Sequence, residues 1–324
     1  LTYCAETEAA TMAAFLFSAP YSKDCTMPSV TASLIKLFAR RNIKRDGLNH
    51  DQLVRHLRRR FNHTPTVTLL PAGVRLRRIH TRSFDGDLIR VKNPTMAVLY
   101  IHGGAYIAGV TRTYHNLAGR LAKELNAAVY LPCYPFAPEA PFPAAVNRVI
   151  EGYRFLLAEG HDPANIVISG DSAGGGLSLA LLLAIRDQGL PIPRCGVLFS
   201  PGSNALGDGE SVQRNNASDC MLSADIIHAV TEIYVPDPKD RSHPYASPCR
   251  ADYTGLPPLF ISVATDEVLY SDAVAVRAQA EKAGIAVEWL ERDGLFHVWP
   301  IMLPFLPEAR ADFQTYVDFI HRCR

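Results

Sequence analysis

Apolar and polar positions fall into blocks along the chain, and the period of the blocks changes in a regular order. Val30, Leu34, Leu37 and Phe38 recur at helical spacing, with Lys36, Arg40, Arg41, Lys44 and Arg45 on the remaining faces. After Pro71 the period drops to two. Residues 74–79 and 88–91 alternate about the turn signal Asp85-Gly86-Asp87, which predicts an antiparallel hairpin. Met96 to Ile101 is apolar almost throughout and reads as a strand buried on both faces. Helix and strand then alternate: helices over 116–125, 144–158 and 177–185, and strands over 127–131, 166–169 and 195–200. A strand over 259–264, a helix over 272–283 and a strand over 287–290 resume that order. The alternation predicts an α/β fold, a mostly parallel sheet with helices on both faces. Residues 201–256 are less regular, with one helix predicted over 224–234 and a proline-rich approach at Pro236, Pro238 and Pro244.

A chain of 324 residues, 48% of them apolar, suits one large α/β domain with an added cap. The expected division is an N-terminal segment with cap helices over 1–70 and a core over 71–200. A cap insertion follows over 201–256, and the second part of the core over 257–324. A net charge of +1 argues against a dedicated nucleic-acid binder. No run of about 18 apolar residues occurs, so a membrane-spanning helix is not expected. The seven cysteines, Cys4, Cys25, Cys133, Cys195, Cys220, Cys249 and Cys323, are scattered and never form a CxxC pair. Free thiols in a reducing cytoplasm account for them more simply than a metal site or a disulfide framework. His50, His56 and His63 have no metal-ligand spacing.

The basic residues at 36–45 and at Arg55, Arg58, Arg59 and Arg60 fit a solvated face of small helices better than a surface for membranes or anionic partners. Residues 1–26 begin without methionine, and their apolar piece, Met12 to Pro20, follows Glu6 and Glu8 where a signal peptide needs positive charge. Met27-Pro28 could serve as the natural start. The sequons Asn62-His63-Thr64 and Asn216-Ala217-Ser218 read as chance matches.

Candidate chemistry centres on Gly170-Asp171-Ser172-Ala173-Gly174, where a short β-branched run gives way to a helical pattern. This is G-x-S-x-G in a strand–turn–helix context, a corner that exposes the serine hydroxyl, so Ser172 is the candidate nucleophile. His102-Gly103-Gly104 closes the buried strand upstream. Backbone N–H groups there can face an oxygen that becomes negative, which makes Gly103 and Gly104, with Ala173, the candidate oxyanion-hole donors. His102 is expected to position rather than to act as base. Tyr106 and Asp171 are expected to contact substrate. Asp266 follows the 259–264 strand at the edge where functional side chains gather, and is preferred to its rivals Glu267 and Asp272 as the acid that orients a histidine. His297 lies on the loop after the last strand. The order Ser172, Asp266, His297 is that of an α/β-hydrolase triad. The proline-dense stretch Tyr134 to Pro143 is expected to form a rigid loop near the site.

Taken together, His102-Gly103-Gly104-Ala105, the Tyr134 to Pro143 loop, Gly170-Asp171-Ser172-Ala173-Gly174-Gly175, Pro244-Tyr245-Ala246-Ser247-Pro248, Asp266 and His297 resemble the hormone-sensitive-lipase-like esterases, the bacterial family IV of lipolytic enzymes. The resemblance covers roughly residues 95 to 300. It implies an α/β-hydrolase fold with a helical cap and serine hydrolysis of short- to medium-chain carboxylic esters through an acyl-enzyme, without a cofactor. Some relatives hydrolyse lactones. A peptidase, or a non-catalytic ligand-binding protein, on the same fold is the alternative from another class. The implied partner is a small-molecule ester, with no nucleic acid and no stable membrane insertion; a homodimer is allowed but not required. Two positions depart from the family pattern. Ala105 stands where many members have glycine, and Asp266-Glu267-Val268-Leu269 lacks the proline often found after the aspartate.

Overall fold

The computed structural model describes residues 27–63 and 67–323. Cys4, Cys25, the Met12 to Pro20 stretch and the Thr64 end of one sequon lie outside the described residues. Two helices come first, α1 (Val30–Asn42) and α2 (His50–His63). The hairpin strands β1 (Arg75–His80) and β2 (Asp85–Arg90) lead to β3 (Met96–Ile101). Then follow α3 (His115–Glu124), β4 (Ala127–Pro132), α4 (Ala144–Ala158), β5 (Ile166–Asp171), α5 (Ala173–Asp187) and β6 (Cys195–Phe199). The irregular segment carries α6 (Glu210–Arg214) and α7 (Ala224–Tyr234). The chain closes with β7 (Leu259–Ala264), α8 (Tyr270–Lys282), β8 (Val287–Arg292) and α9 (Pro307–Arg322).

The strands form one eight-stranded sheet in the order β1-β2-β4-β3-β5-β6-β7-β8. β1 and β2 are antiparallel, β2 meets β4 antiparallel, and the remaining pairs are parallel. Because side chains alternate across a strand, β3 feeds two cores at once. Ala97, Leu99 and Ile101 pack with α4, α5 and α8 on one face, while Val98 and Tyr100 pack with α3 and α9 on the other. Helix α5 is buried from Ala173 to Ile185, so it has no polar face, as its sequence requires. The carboxyl ends of β3, β5 and β7 open on one edge, where the candidate residues collect.

The hairpin differs from expectation. Its turn is Thr81 to Phe84, closed by Thr81 N–H to Phe84 O at 2.8 Å, and Asp85 already pairs with His80 inside the ladder. Gly86 lies within β2, because a Cβ there would come 2.1 Å from Leu131 O on β4. The aspartates that looked like turn residues serve as acceptors. Asp87 takes Thr111 Oγ1 at 2.6 Å, His115 Nε2 at 2.8 Å and Arg78 Nη1 at 3.2 Å. Helix α9 was not anticipated, although Tyr316, Val317 and Ile320 recur at helical spacing and are buried.

Helix α1 is turned around relative to its apparent apolar face. Val30, Leu34, Leu37 and Phe38 are 75%, 55%, 48% and 60% exposed, whereas the small residues Ala32 and Ala39 are buried against Leu295, Phe296 and Trp299. Lys36 and Arg40 reach back to the protein because it supplies carbonyls and a carboxylate to receive them. Lys36 Nζ reaches Gly294 O at 2.8 Å and Asp266 Oδ2 at 3.4 Å, and Arg40 Nη2 reaches Ala217 O at 3.1 Å and Ser218 O at 3.0 Å. Helix α2 packs on α7, which places the N-terminal helices beside the 201–256 segment over the sheet edge.

Candidate active site

Ser172 sits at the corner between β5 and α5 with φ 54° and ψ −125°, a conformation that non-glycine residues seldom adopt. The flanking glycines make the corner sterically feasible. A Cβ on Gly170 would stand 2.4 Å from Gly174 O, and one on Gly174 would stand 2.0 Å from Ile101 O. The strain lifts the serine hydroxyl out of the sheet edge, where Ser172 Oγ lies 2.8 Å from His297 Nε2.

His297 Nδ1 faces Glu267 Oε2 at 2.5 Å. The carboxylate therefore fixes the Nδ1–H tautomer and leaves Nε2 to accept the serine proton. Glu267 is fully buried, and its second oxygen accepts from Ser200 Oγ at 2.8 Å and from Ala264 N–H at 2.7 Å. Asp266, the residue favoured by sequence, does not reach His297. It turns outward, 37% exposed in its side chain, to Lys36 Nζ. The cause is a tight turn after β7, in which Glu267 N–H donates to Ala264 O at 3.2 Å. That turn folds the Glu267 side chain back under the strand end and leaves Asp266 at the outer corner. Asp272 is also remote from the imidazole; it accepts from Ser203 N–H at 2.9 Å.

The electrostatics suit a base. Burial pulls the His297 pKa down, but the charges of Glu267, Asp219 and Asp171 and the Glu267 hydrogen bond outweigh it and raise it above the usual 6.5. Burial of His102 pushes its pKa down to about 4, so it stays neutral, stacked on Tyr134 with its Nδ1 2.8 Å from Gly103 O. Tyr134 Oη donates to His102 O at 2.7 Å, and Ala137 N–H donates to Tyr106 O at 3.0 Å, so the proline-dense loop props up the His102–Tyr106 turn.

The N–H groups of that turn are distributed differently from the expectation. Gly103 N–H is already taken, by Tyr114 Oη and Asp171 Oδ1, each at 3.1 Å. It is thus engaged within the scaffold and not free to face a substrate oxygen. Among the described residues the N–H groups of Gly104 and Ala105 meet no backbone acceptor, and Ala173, at the first position of α5, has an N–H with no intrahelical partner. Ala105 (φ 57°) and Tyr106 (φ 60°) take left-handed backbone to aim this turn. The left-handed backbone at Ala105 gives no sign in the sequence, because alanine rarely adopts positive φ.

Asp171 is not among the residues that line the cavity beside Ser172. It is buried, with Oδ1 accepting from Tyr100 Oη at 3.0 Å and Oδ2 from Tyr114 Oη at 3.1 Å. Burial raises its pKa to about 6 against the Tyr100 hydrogen bond, the His297 charge and the Tyr114 hydrogen bond. Tyr106, by contrast, does line the cavity beside Ser172. Its ring stacks on Tyr234 with centroids 3.8 Å apart, and its hydroxyl donates to Gly202 O at 2.8 Å. The cavity measures about 70 Å³, and α7 and the segment before it supply the apolar side chains Leu222, Ile226, Ile227 and Val230. Among the described residues no group of three or more His, Cys, Asp or Glu side chains is placed to hold a metal ion.

Residues 98–301 match the profile of the alpha/beta hydrolase fold family. An acetyl-hydrolase of Streptomyces hygroscopicus is 41% identical over 223 residues, 69% of this chain and 74% of its own. An esterase of Acinetobacter venetianus is 33% identical over 270 residues, 80% of this chain and 86% of its own. The crystal structure of an esterase from the bacterial hormone-sensitive lipase family superimposes with a TM-score of 0.82 at 31% identity, covering 92% of this chain and 99% of the other. The chain belongs to the α/β-hydrolase family, among its bacterial hormone-sensitive-lipase-type esterases.

Proposed function

We propose that this carboxylic ester hydrolase acts on short-chain esters through an acyl-enzyme, with Ser172 as nucleophile, His297 as general base and Glu267 as the acid that orients it. The supporting observation is the continuous line Ser172 Oγ–His297 Nε2 at 2.8 Å and His297 Nδ1–Glu267 Oε2 at 2.5 Å, beside open N–H groups. His297 takes the Ser172 proton as Oγ attacks the ester carbonyl. The N–H groups of Gly104, Ala105 and Ala173 receive the oxyanion, a contribution of about 100-fold to 1000-fold per donor. The imidazolium, stabilised by Glu267, gives its proton to the leaving alcohol, and a water activated by the same histidine releases the acyl group.

The small apolar cavity beside Ser172 supports a short acyl group. The similar acetyl-hydrolase, and an ethyl acetate hydrolase from Pseudomonas putida 30% identical over 70% of this chain, point the same way. The free thiols of Cys133, Cys195, Cys220, Cys249 and Cys323 suit a reducing cytoplasm. Among the described residues no helix is long and apolar enough to cross a membrane.

The test is hydrolysis of p-nitrophenyl esters from acetate to palmitate by the intact protein and by Ser172→Ala. Activity should peak at acetate to butyrate and vanish in the variant. A peak at long chains contradicts the short acyl pocket, and undiminished activity of Ser172→Ala contradicts the nucleophile.

A further inference from the structure

The turn that carries Glu267 is held from outside itself. The carbonyls of four consecutive residues accept from side chains of the 201–256 segment. Asn215 Nδ2 donates to Thr265 O and to Glu267 O, both at 2.8 Å; Ser218 Oγ donates to Asp266 O at 3.1 Å; Ser211 Oγ donates to Val268 O at 2.6 Å. In the opposite sense, Val268 N–H donates to Asp219 Oδ2 at 3.0 Å, while Asp219 Oδ1 accepts from Met221 N–H at 2.8 Å and Leu222 N–H at 2.9 Å. Asn215, Asp219 and Ser211 are buried.

This knot is gripped in turn by α1. Arg40 binds the carbonyls of Ala217 and Ser218, and Lys44, just past the helix end, binds those of Asn216 and Asp219, the latter at 3.0 Å. Lys36, one helical turn before Arg40, spans the two loops that bear the acid and the histidine, through Asp266 Oδ2 and Gly294 O. The cations on the inner side of α1 thus contact the knot, the acid turn and the histidine loop.

We propose that Asn215 is a positioning residue for the hydrolytic reaction, and that the cap segment around it sets where the triad acid stands. The physical reason is the shortness and irregularity of the turn. Nothing in Asp266-Glu267-Val268-Leu269 restricts its backbone as a proline does, and a small displacement of Glu267 swings its carboxylate off His297 Nδ1. Among the described residues only Asn215 has an amide that bridges the carbonyls on both sides of Asp266, so it fixes the turn in the direction that separates Glu267 from Asp266. The inference rests on Glu267 being the orienting acid, as in the proposed function. Loss of alignment of this kind costs about 100-fold in rate even when the substituted residue is far from the chemistry.

The test is a double-mutant cycle of Asn215→Ala with Glu267→Ala, read as kcat and KM on p-nitrophenyl acetate, with thermal midpoints measured alongside. Asn215→Ala should lower kcat about 30- to 100-fold with KM within about twofold. In the Glu267→Ala background the same substitution should cost less than about threefold, because the group it positions is gone. An equal loss in both backgrounds, or no loss in the single variant, overturns the proposal. Full activity of Glu267→Ala itself removes the assigned acid and the positioning role together, an outcome distinct from failure of Asn215→Ala alone. Should Asn215→Ala fail to fold, Ser218→Ala takes its place in the cycle. It removes one hydrogen bond to the turn, with an expected loss of about fivefold and the same dependence on Glu267.

Discussion

Glu267 Oε2 stands 2.5 Å from His297 Nδ1, while the adjacent Asp266 points away to Lys36 Nζ at 3.4 Å. Two neighbouring acids thus have separate tasks. One faces the imidazole in a dry site, and the other ties the acid turn to the N-terminal helix. Asp219 and Asp171 add negative charge around the imidazole without touching it, and Asp219 also belongs to the knot that holds the acid turn.

The pH dependence follows from that charge. The reactive form of His297 is neutral, so activity is lost as pH falls through its folded pKa. That pKa is raised, so the acid limb of kcat/KM should lie above the usual histidine value of about 6.5. Asp219→Asn, which removes one of the raising charges, should move the limb to lower pH. A profile of kcat/KM measured from pH 5 to 9 checks both the position and the direction of the shift.

The oxyanion turn gives a second expectation. Gly103→Ala places a Cβ 2.5 Å from Asp171 Oδ2 and 3.0 Å from Ser172 Cβ, so the turn must shift and kcat should fall at least about 100-fold. Ala105→Gly keeps the backbone donor and relieves a left-handed alanine. It should leave kcat within about threefold and raise the thermal midpoint, by up to about 1 kcal/mol of stability. Steady-state kinetics and thermal melts of the two variants separate these effects.

Asp272 gives a stability signature. It lines the cavity beside Ser172, is buried, and burial raises its pKa to about 7 from 3.8. An acid with a raised folded pKa costs stability progressively as pH climbs from the unfolded value to the folded one, at about 1.4 kcal/mol per unit. Asp272→Asn, which mimics the protonated form, should stabilise the protein more at pH 8 than at pH 5. Urea midpoints at the two pH values test the sign.

Much of this was legible in the sequence because strong local patterns carried it. Continuous apolar runs mark β3, β5 and β7, and Gly170 and Gly174 flanking Ser172 mark its corner, where a Cβ on either has no room. What escaped was direction. Asp266 and Glu267 occupy the same strand end, and it takes the hydrogen bond from Glu267 N–H to Ala264 O, with bonds brought to the turn from the 201–256 segment, to turn Glu267 inward. Gly103 looked like an oxyanion donor because the acceptors of its N–H, Tyr114 and Asp171, are brought in by other elements. Helix α1 inverted for a similar reason. Its cations found carbonyls on a segment some 170 to 180 residues away, which no periodicity can reveal.

The most direct test of the central claim compares kcat of Glu267→Gln and Asp266→Asn on p-nitrophenyl acetate at pH 8. The structure predicts a fall of about 1000-fold to 10,000-fold for Glu267→Gln, through loss of the required tautomer and of imidazolium stabilisation. Asp266→Asn should stay within about fivefold of the parent, since it loses only a half-exposed ion pair with Lys36. The reverse ranking would show that Asp266 orients His297, and would contradict the arrangement described above.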